Sequence, residues 1–559
     1  MVGRLLRVFN REWSGLHEAA FLLAGTAILS QVLGLLRDRM LAANFGAGVT
    51  LDVYYAAFRV PDLLYASLAS FVAVTVLIPF LLERMDGKNE ERVARFVDSV
   101  FSAFVLLMAV GCSAAFLLMP RLAALIVPGF SSEAQEEFIT LSRILLLSPL
   151  LLGVSNLFGA VTQSLNRFFV FAAGPILYNV GIIIGIFFLM PRYGLSGVVY
   201  GVILGALFHV TVQLPVLFSN GLTPRLTFAV EWADIRRVAL LSLPRTLALS
   251  AANLSMIVLV AMASQVTAGS IAVFTFAMNL QSIPLSIIGM SYSVAAFPTL
   301  AKLWDKGDHG QFLGQITDAM RHIMFWSFPA ITLFIVLRAQ VVRTVLGSGA
   351  FDWTATRLTA AALALFAVSI VAQNLVLLLT RAFYAMGRTR LPLTANLIGA
   401  LLAVSSSFAL LFLFNDHAIF RYFAEALLRV ADTPGTSILM LPLGYSTGMI
   451  VNVLLLFYFL NKEFPRGIAG TKKAFLHSFT TSIVIGFAAY HGLQLFDIVF
   501  DTDTFWGIFL QGLCAGLLGI LAGIFLLRIM ENRELEEIRL ALHKKFWKTH
   551  PIAAEKETL

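Results

Sequence analysis

Long apolar runs recur along this chain, separated by short breaks rich in charge, Gly and Pro. The pattern is neither the one-faced 3.6 period of a helix on a soluble core nor the alternation of a half-buried strand. It is that of helices apolar on every side, each near the roughly 20 residues that cross a bilayer. Divided at the breaks, the chain gives about fourteen spans. They cover 18–42, 55–83, 93–118, 137–164, 168–190, 194–219, 235–264, 268–300, 312–345, 355–386, 391–414, 437–461, 472–496 and 504–530. The expected fold is an all-α polytopic membrane protein, because a helix satisfies its backbone within the span. The alternation of an outer-membrane barrel is absent from the sequence.

Composition agrees. Of 559 residues, 59% are hydrophobic and 13% charged, against about 25% charged in soluble domains. The net charge of +8 does not point to nucleic acid, because the basic residues lie scattered in short connections rather than along one face. Arg4, Arg7 and Arg11, then Arg84, Lys88 and Arg92, Arg236 and Arg237, Arg388 and Arg390, and Lys462 to Lys473 fall in one set of alternate connections. The other set is sparse, and its last member holds only Asp497, Asp501 and Asp503. By the positive-inside rule both termini are expected on the cytoplasmic side. Cys112 and Cys514 sit in apolar runs as packing residues, with no disulfide or metal spacing, and no cofactor is expected. The start, MVGRLLRVFNREWSGLHEA, is a basic amphipathic stretch rather than a cleavable leader. The tail from Glu531 has helical spacing with a mixed-charge face, suited to the membrane surface.

The chain also repeats itself. Asn156, Thr162, Pro175 and Asn179 recur as Asn374, Thr380, Pro392 and Asn396, and Pro79, Leu81 and Asp86 as Pro298, Leu300 and Asp305. Spans one to six and seven to twelve therefore read as two copies of one unit with the same topology. The expected organisation is a cytoplasmic N-terminus (1–17), an N-lobe (18–219), a C-lobe (220–461), two further spans (462–530) and a surface tail (531–559). Two six-helix lobes suit alternating access. No Walker-type loop and no nucleophile–base pair argues for an enzyme. The four repeated asparagines read as interhelical hydrogen-bonding residues, and GLSGVVYGVILGA as a close helix contact. The sequence leaves open where His209 and Gln213 face.

Charge inside a bilayer is costly unless it meets a partner or a watery cavity, so Ser30–Leu64 stands out. It holds Arg37, Asp38, Arg39, Asp52, Arg59 and Asp62. The string SQVLGLLRDRMLAANFGAG, followed by Asp52, FRVPDLL and IPFLLE, resembles the start of the MurJ/MviN family of lipid II flippases. That family belongs to a superfamily that also holds MATE-type multidrug antiporters. The resemblance implies a cationic cavity for the pyrophosphate headgroup of a lipid-linked precursor in the bacterial cytoplasmic membrane. It also implies a polyprenyl groove on spans thirteen and fourteen, and a monomer in contact with membrane lipids. Arg37 and Asp38 match the family's first-helix pair, Asp52 the acid opening the second helix, and Arg59 a basic position before Pro61. Arg37 is expected on phosphate, with Asp38 and Asp52 pairing arginines or holding loop geometry.

The chain departs from the family at Gln31, Tyr65, Ala66, Ser70, Asn279 and Ser282, where charged residues are usual. Gln31, Tyr65 and Asn279 are then candidate polar cavity residues. Arg245, after Pro244 in span seven, is a candidate replacement phosphate ligand. The alternatives are a flippase for another polyprenyl-pyrophosphate-linked glycan and, more distantly, a cation-coupled antiporter of MATE type.

Overall fold

The structure, a computed structural model, describes residues 16–68, 77, 80–81, 90–165, 167–465 and 470–546. They are helical nearly throughout, with no strand among the described residues. Eleven described helices are long and apolar enough to cross a membrane, or twelve if Trp353–Ala367 and Ile370–Ala385 form one broken span. Each lies on an apolar run delimited above, from Glu91–Ile126 to Phe505–Ile529. Span one is the 30-residue helix Leu16–Phe45. Span two, expected over 55–83, passes partly outside the described residues. The chain is an all-α, multi-pass membrane protein.

The differences from the sequence reading have local causes. Span two opens earlier, as Val49–Ala57, breaks at Phe58 and restarts as Arg59–Leu68; Pro61 has no N–H to continue the ladder. Span nine is His309–Val336, and the more polar RAQVVRTVL after Leu337 forms its own helix, Arg338–Leu346. Spans five and eight each widen into a π-type turn, at Gly185–Leu189 ahead of Pro191 and at Leu285–Met290 after Pro284. Such turns re-accommodate backbone groups that a proline disturbs.

The chain forms two compact units. The first comprises Met1–Ile283, Val342–Ser369 and Arg388–Leu456. Its core includes Phe96, Val100 and Phe104 of span three, Leu157 and Val161 of span four, and Leu217 at the end of span six. In lipid, helices associate through close packing rather than water exclusion, so small residues gather where backbones touch. A Cβ on Gly181 would fall on the backbone of Gly205, one on Gly201 on Gly185, and one on Gly205 on the Tyr178 carbonyl. The Gly-rich string of span six is therefore a contact surface for span five.

The second unit comprises Pro284–Val341, Ile370–Gly387 and Phe457–Leu559. Spans thirteen (Thr471–Asp497) and fourteen (Phe505–Ile529) meet where Gly519 approaches the Ile485 carbonyl. Phe328 of span nine makes edge contacts with Phe475 and Phe479 of span thirteen. The tail forms helix Arg533–Phe546, started by Asn532 accepting from the Leu535 N–H at 2.9 Å. It is fastened to span nine: Arg321 Nε donates to Glu534 Oε1 at 2.7 Å, and His322 lies 3.1 Å from Glu537. Burial pushes the Glu534 carboxyl up, but its backbone amide and Arg321 outweigh that and hold it below the usual carboxylate range.

Candidate functional site

The charged cluster lies in the first unit. Neighbouring residues on a helix do not face each other, yet the long Arg37 side chain turns back onto Asp38. Its Nε and Nη2 donate to Asp38 Oδ1 at 3.0 and 2.8 Å. Two amides complete the arrangement from other spans. Arg37 Nη1 donates to Asn179 Oδ1 of span five at 3.2 Å, and Asn279 Nδ2 of span eight donates to Asp38 Oδ2 at 2.9 Å. Asn179 is itself oriented by donating to the Ser30 and Pro175 carbonyls. The Asp38 side chain is only 4% exposed, whereas Arg37 keeps 23%. The carboxylate is thus enclosed, and the cation is held in place with part of its surface still accessible. Tyr54, Tyr55 and Tyr178 stand within electrostatic range of Arg37.

Asp52 is elsewhere and does something different. Its two carboxylate oxygens accept from the Gly269 and Ala272 N–H groups at 2.6 and 2.8 Å, capping span eight, whose N-terminal partial charge favours an anion. This end of the unit is closely closed. The Ala350 N–H donates to the Ala43 carbonyl at 2.9 Å, and Arg39 Nη1 donates to the Thr344 carbonyl at 2.5 Å. Gly269, at φ +88°, abuts the Ala47 carbonyl, and Gly435, at φ +79°, abuts Thr267. A cavity of about 220 Å³ remains, lined among others by Ala47, Gly269, Asp352 and Pro434. It is below the roughly 300 Å³ at which drug-sized ligand pockets begin, and the Asp352 Oδ1 is already bonded to the Ala355 N–H.

Arg59 begins the second half of span two, and its Nε is buried with no hydrogen-bond partner among the described residues. Asp62, one turn on, is its electrostatic neighbour. Tyr65 accepts from Asn156 Nδ2 at 2.8 Å, and Ser67 meets Ser250 of span seven at 2.8 Å. Gln31 is half-buried on span one. Arg245 belongs to helix Trp232–Ser264, but its side chain lies outside the described residues. The structure thus brings Arg37, Asp38 and Asn279 together and sets Asp52 apart at the closed end.

The repeated asparagines all bond between helices: Asn156 to Tyr65, Asn179 to Arg37, Asn374 to Ser327 and Asn452 to Asn396. The role of Asn179 in orienting Arg37 was missed, although its place in the repeat was a signal. His209 and Gln213 form a buried knot with Ser155, whose Oγ lies 2.6 Å from His209 Nδ1 and accepts from Gln213. Among the described residues, no His/Cys/Asp/Glu group could hold a metal ion.

Comparison with known proteins follows the same lines. The chain is 27% identical over 403 residues to a probable lipid II flippase MurJ of Buchnera aphidicola, covering 70% of this chain and 78% of that protein. It is 25% identical over 404 residues to the lipid II flippase MurJ of Burkholderia cenocepacia, with 70% and 77% covered. Its fold superposes on a solved lipid II flippase MurJ in an inward closed conformation with TM-score 0.72, at 20% identity, covering 92% of this chain and all of that one. An inward-facing MATE family transporter gives 0.61 at 17% identity, over 79% and 96%. The profile of the family described as lipid II flippase MurJ matches residues 41–511, and the chain belongs to that family.

Proposed function

We propose that the protein is a flippase that carries a lipid-linked, pyrophosphate-bearing cell-wall precursor of the lipid II type across the cytoplasmic membrane by alternating access. The observation that carries this reading is the Arg37 guanidinium, fixed by Asp38 and Asn179 towards the end of span one and still partly exposed. A guanidinium presents paired donors that match phosphate oxygens. In a low-dielectric cleft that match offsets the cost of taking the headgroup out of water. Arg59, with a buried unpaired Nε, is the second proposed donor and Arg245 the third. Asp38 and Asn279 position Arg37, and Asp52 holds the start of span eight. Gln31 and Tyr65 are proposed as further polar residues for the headgroup.

In this reading both termini are cytoplasmic, and the closed end around Ala43, Gly269 and Ala350 is the extracytoplasmic seal. Residues 18–219 and 220–461 are the rocking lobes, the 462–530 pair receives the polyprenyl tail, and the protein works as a monomer. A guanidinium fork suits the phosphate groups of such a headgroup, and the cargo assay identifies the glycan attached to them.

The test is complementation of a MurJ-depleted bacterium, read as lipid II appearing on the outer leaflet. The wild-type chain is expected to restore it. Arg37→Lys, which keeps the charge but not the fork, is expected to lower transport by about tenfold or more at normal expression. Failure of the correctly inserted wild-type chain refutes lipid II as cargo. Full activity of Arg37→Ala refutes the assigned phosphate site.

A further inference from the structure

The connection between spans eleven and twelve carries a helix, Ala418–Leu428, with its polar and apolar sides reversed from what water selects. Ala418, Ile419, Tyr422, Phe423, Ala426 and Leu427 share one helical face, and every one is exposed, Ile419 at 87%. The two charged residues start from the other side of the helix. Glu425 accepts from Thr436 Oγ1 at 2.7 Å, and the half-buried Arg421 lies over the Tyr422 ring, 5.1 Å from its centroid. A helix bathed in water would show the opposite arrangement. The exposed face also continues that of span eleven, where Leu401, Phe408 and Phe412 are exposed and a short turn at His417 separates the two helices. With 11 residues the helix is too short to cross a bilayer.

We infer that this face docks on the membrane itself, lying in the headgroup–acyl boundary at the end of span eleven. Tyr422 and Arg421 then sit at headgroup level, where an apolar body with a polar tip is favoured. The leaflet is the outer one if the topology proposed above holds. Docking there also bears on the seal. Thr436, bonded to Glu425, follows Gly435, which packs on Thr267 without room for a Cβ, and the Thr267 N–H donates to Ser270 Oγ at the start of span eight. The seat of this helix in the lipid is therefore connected to the helix end that Asp52 caps.

The experiment uses the full chain in nanodiscs, with Cys112 and Cys514 replaced by Ser. An environment-sensitive fluorophore is placed at Phe423→Cys and, as a water-exposed reference, at Asp503→Cys. The Phe423 probe is expected to be quenched severalfold more by lipids carrying a quencher at the upper acyl chain than by aqueous iodide, with the reverse at Asp503. Quenching of both probes by iodide alone overturns the inference, because the face is then open to water. Protection of the Phe423 probe from both quenchers also overturns it, because protein then covers the face. Labelling Asp503→Cys on intact cells with an impermeant maleimide tests the topology separately; its failure moves the helix to the other leaflet and leaves the docking result standing.

Discussion

Replacing Asp52 separates a structural carboxylate from one that handles cargo or protons. Its two oxygens satisfy the Gly269 and Ala272 N–H groups, and the side chain is buried. Hydrogen bonds to a charged group contribute about 1.5–3 kcal/mol each. Asp52→Ala loses both and leaves two buried donors at a helix start, a cost of roughly 3–6 kcal/mol before water enters. Asp52→Asn retains one acceptor but turns an NH₂ towards the remaining N–H, so it is expected to cost about half as much. The assay is thermal unfolding of the purified protein in detergent, paired with transport per folded molecule. The expected order of stability is wild type, then Asn, then Ala, with transport per folded molecule largely kept in the Asn variant. An Asn variant as stable as wild type but unable to transport would falsify the capping role and give the carboxylate a part in the cycle.

Three further outcomes follow from the same packing. Gly269→Ala adds a side chain at φ +88° and directs it onto the Ala47 carbonyl; left-handed backbone alone costs about 1–2 kcal/mol. A lower unfolding temperature and faster thiol labelling of Ala47→Cys are expected, and unchanged labelling counts against a tight seal. Gly205→Val drives a branched side chain into the Tyr178 backbone, so loss of folded protein on size exclusion is expected, and a monodisperse peak contradicts the close packing of spans five and six. Glu534 has a folded-state pKa below its ordinary value, because its backbone amide and Arg321 together overcome burial. Its contribution is therefore complete above the unfolded carboxylate pKa of about 4.3 and disappears as pH falls through the lower folded value. Hydrogen exchange of helix Arg533–Phe546 is expected to accelerate in that acid window in the wild type and to be fast already at neutral pH in Glu534→Gln. Equal exchange in both proteins at pH 7 removes Glu534 from the attachment.

The spans were legible because lipid imposes one requirement, apolarity on every side, over some twenty consecutive residues. Breaks inside them were less so: the interruptions at Phe58 and Leu337 depend on one proline and on a short polar helix that follows an apolar run. Arg37 and Asp38 were legible as an anomaly of charge, but their partners were not. Asp38 meets a residue 241 positions away, and Asp52 caps a helix 217 positions away. No periodicity encodes such pairings, which only the packing of spans one, two and eight creates. Asn279 was noticed as a missing charge, and its contribution is a neutral donor to Asp38. Helix Ala418–Leu428 was hidden because 11 residues between two long apolar runs look like a connection.

The neutrality of the Arg37–Asp38 pair has a consequence for the proposed cycle. A bare arginine in this enclosed place would bind phosphate strongly and release it slowly, whereas carriage across a membrane needs binding that differs between states. Here Asp38 competes for the guanidinium, and its other oxygen is held by Asn279 on span eight. Cargo must therefore share Arg37 with Asp38 or displace it, and the ease of either depends on whether span eight keeps its place beside span one. If span eight moves during opening, Asp38 Oδ2 is freed and the competition changes, which would link the geometry of the seal to the strength of the site. A double-mutant cycle on Asp38 and Asn279, measured on cargo binding, is expected to show coupling when the seal is closed and little when it is open. Equal coupling in both states means that the amide only fills space beside the pair.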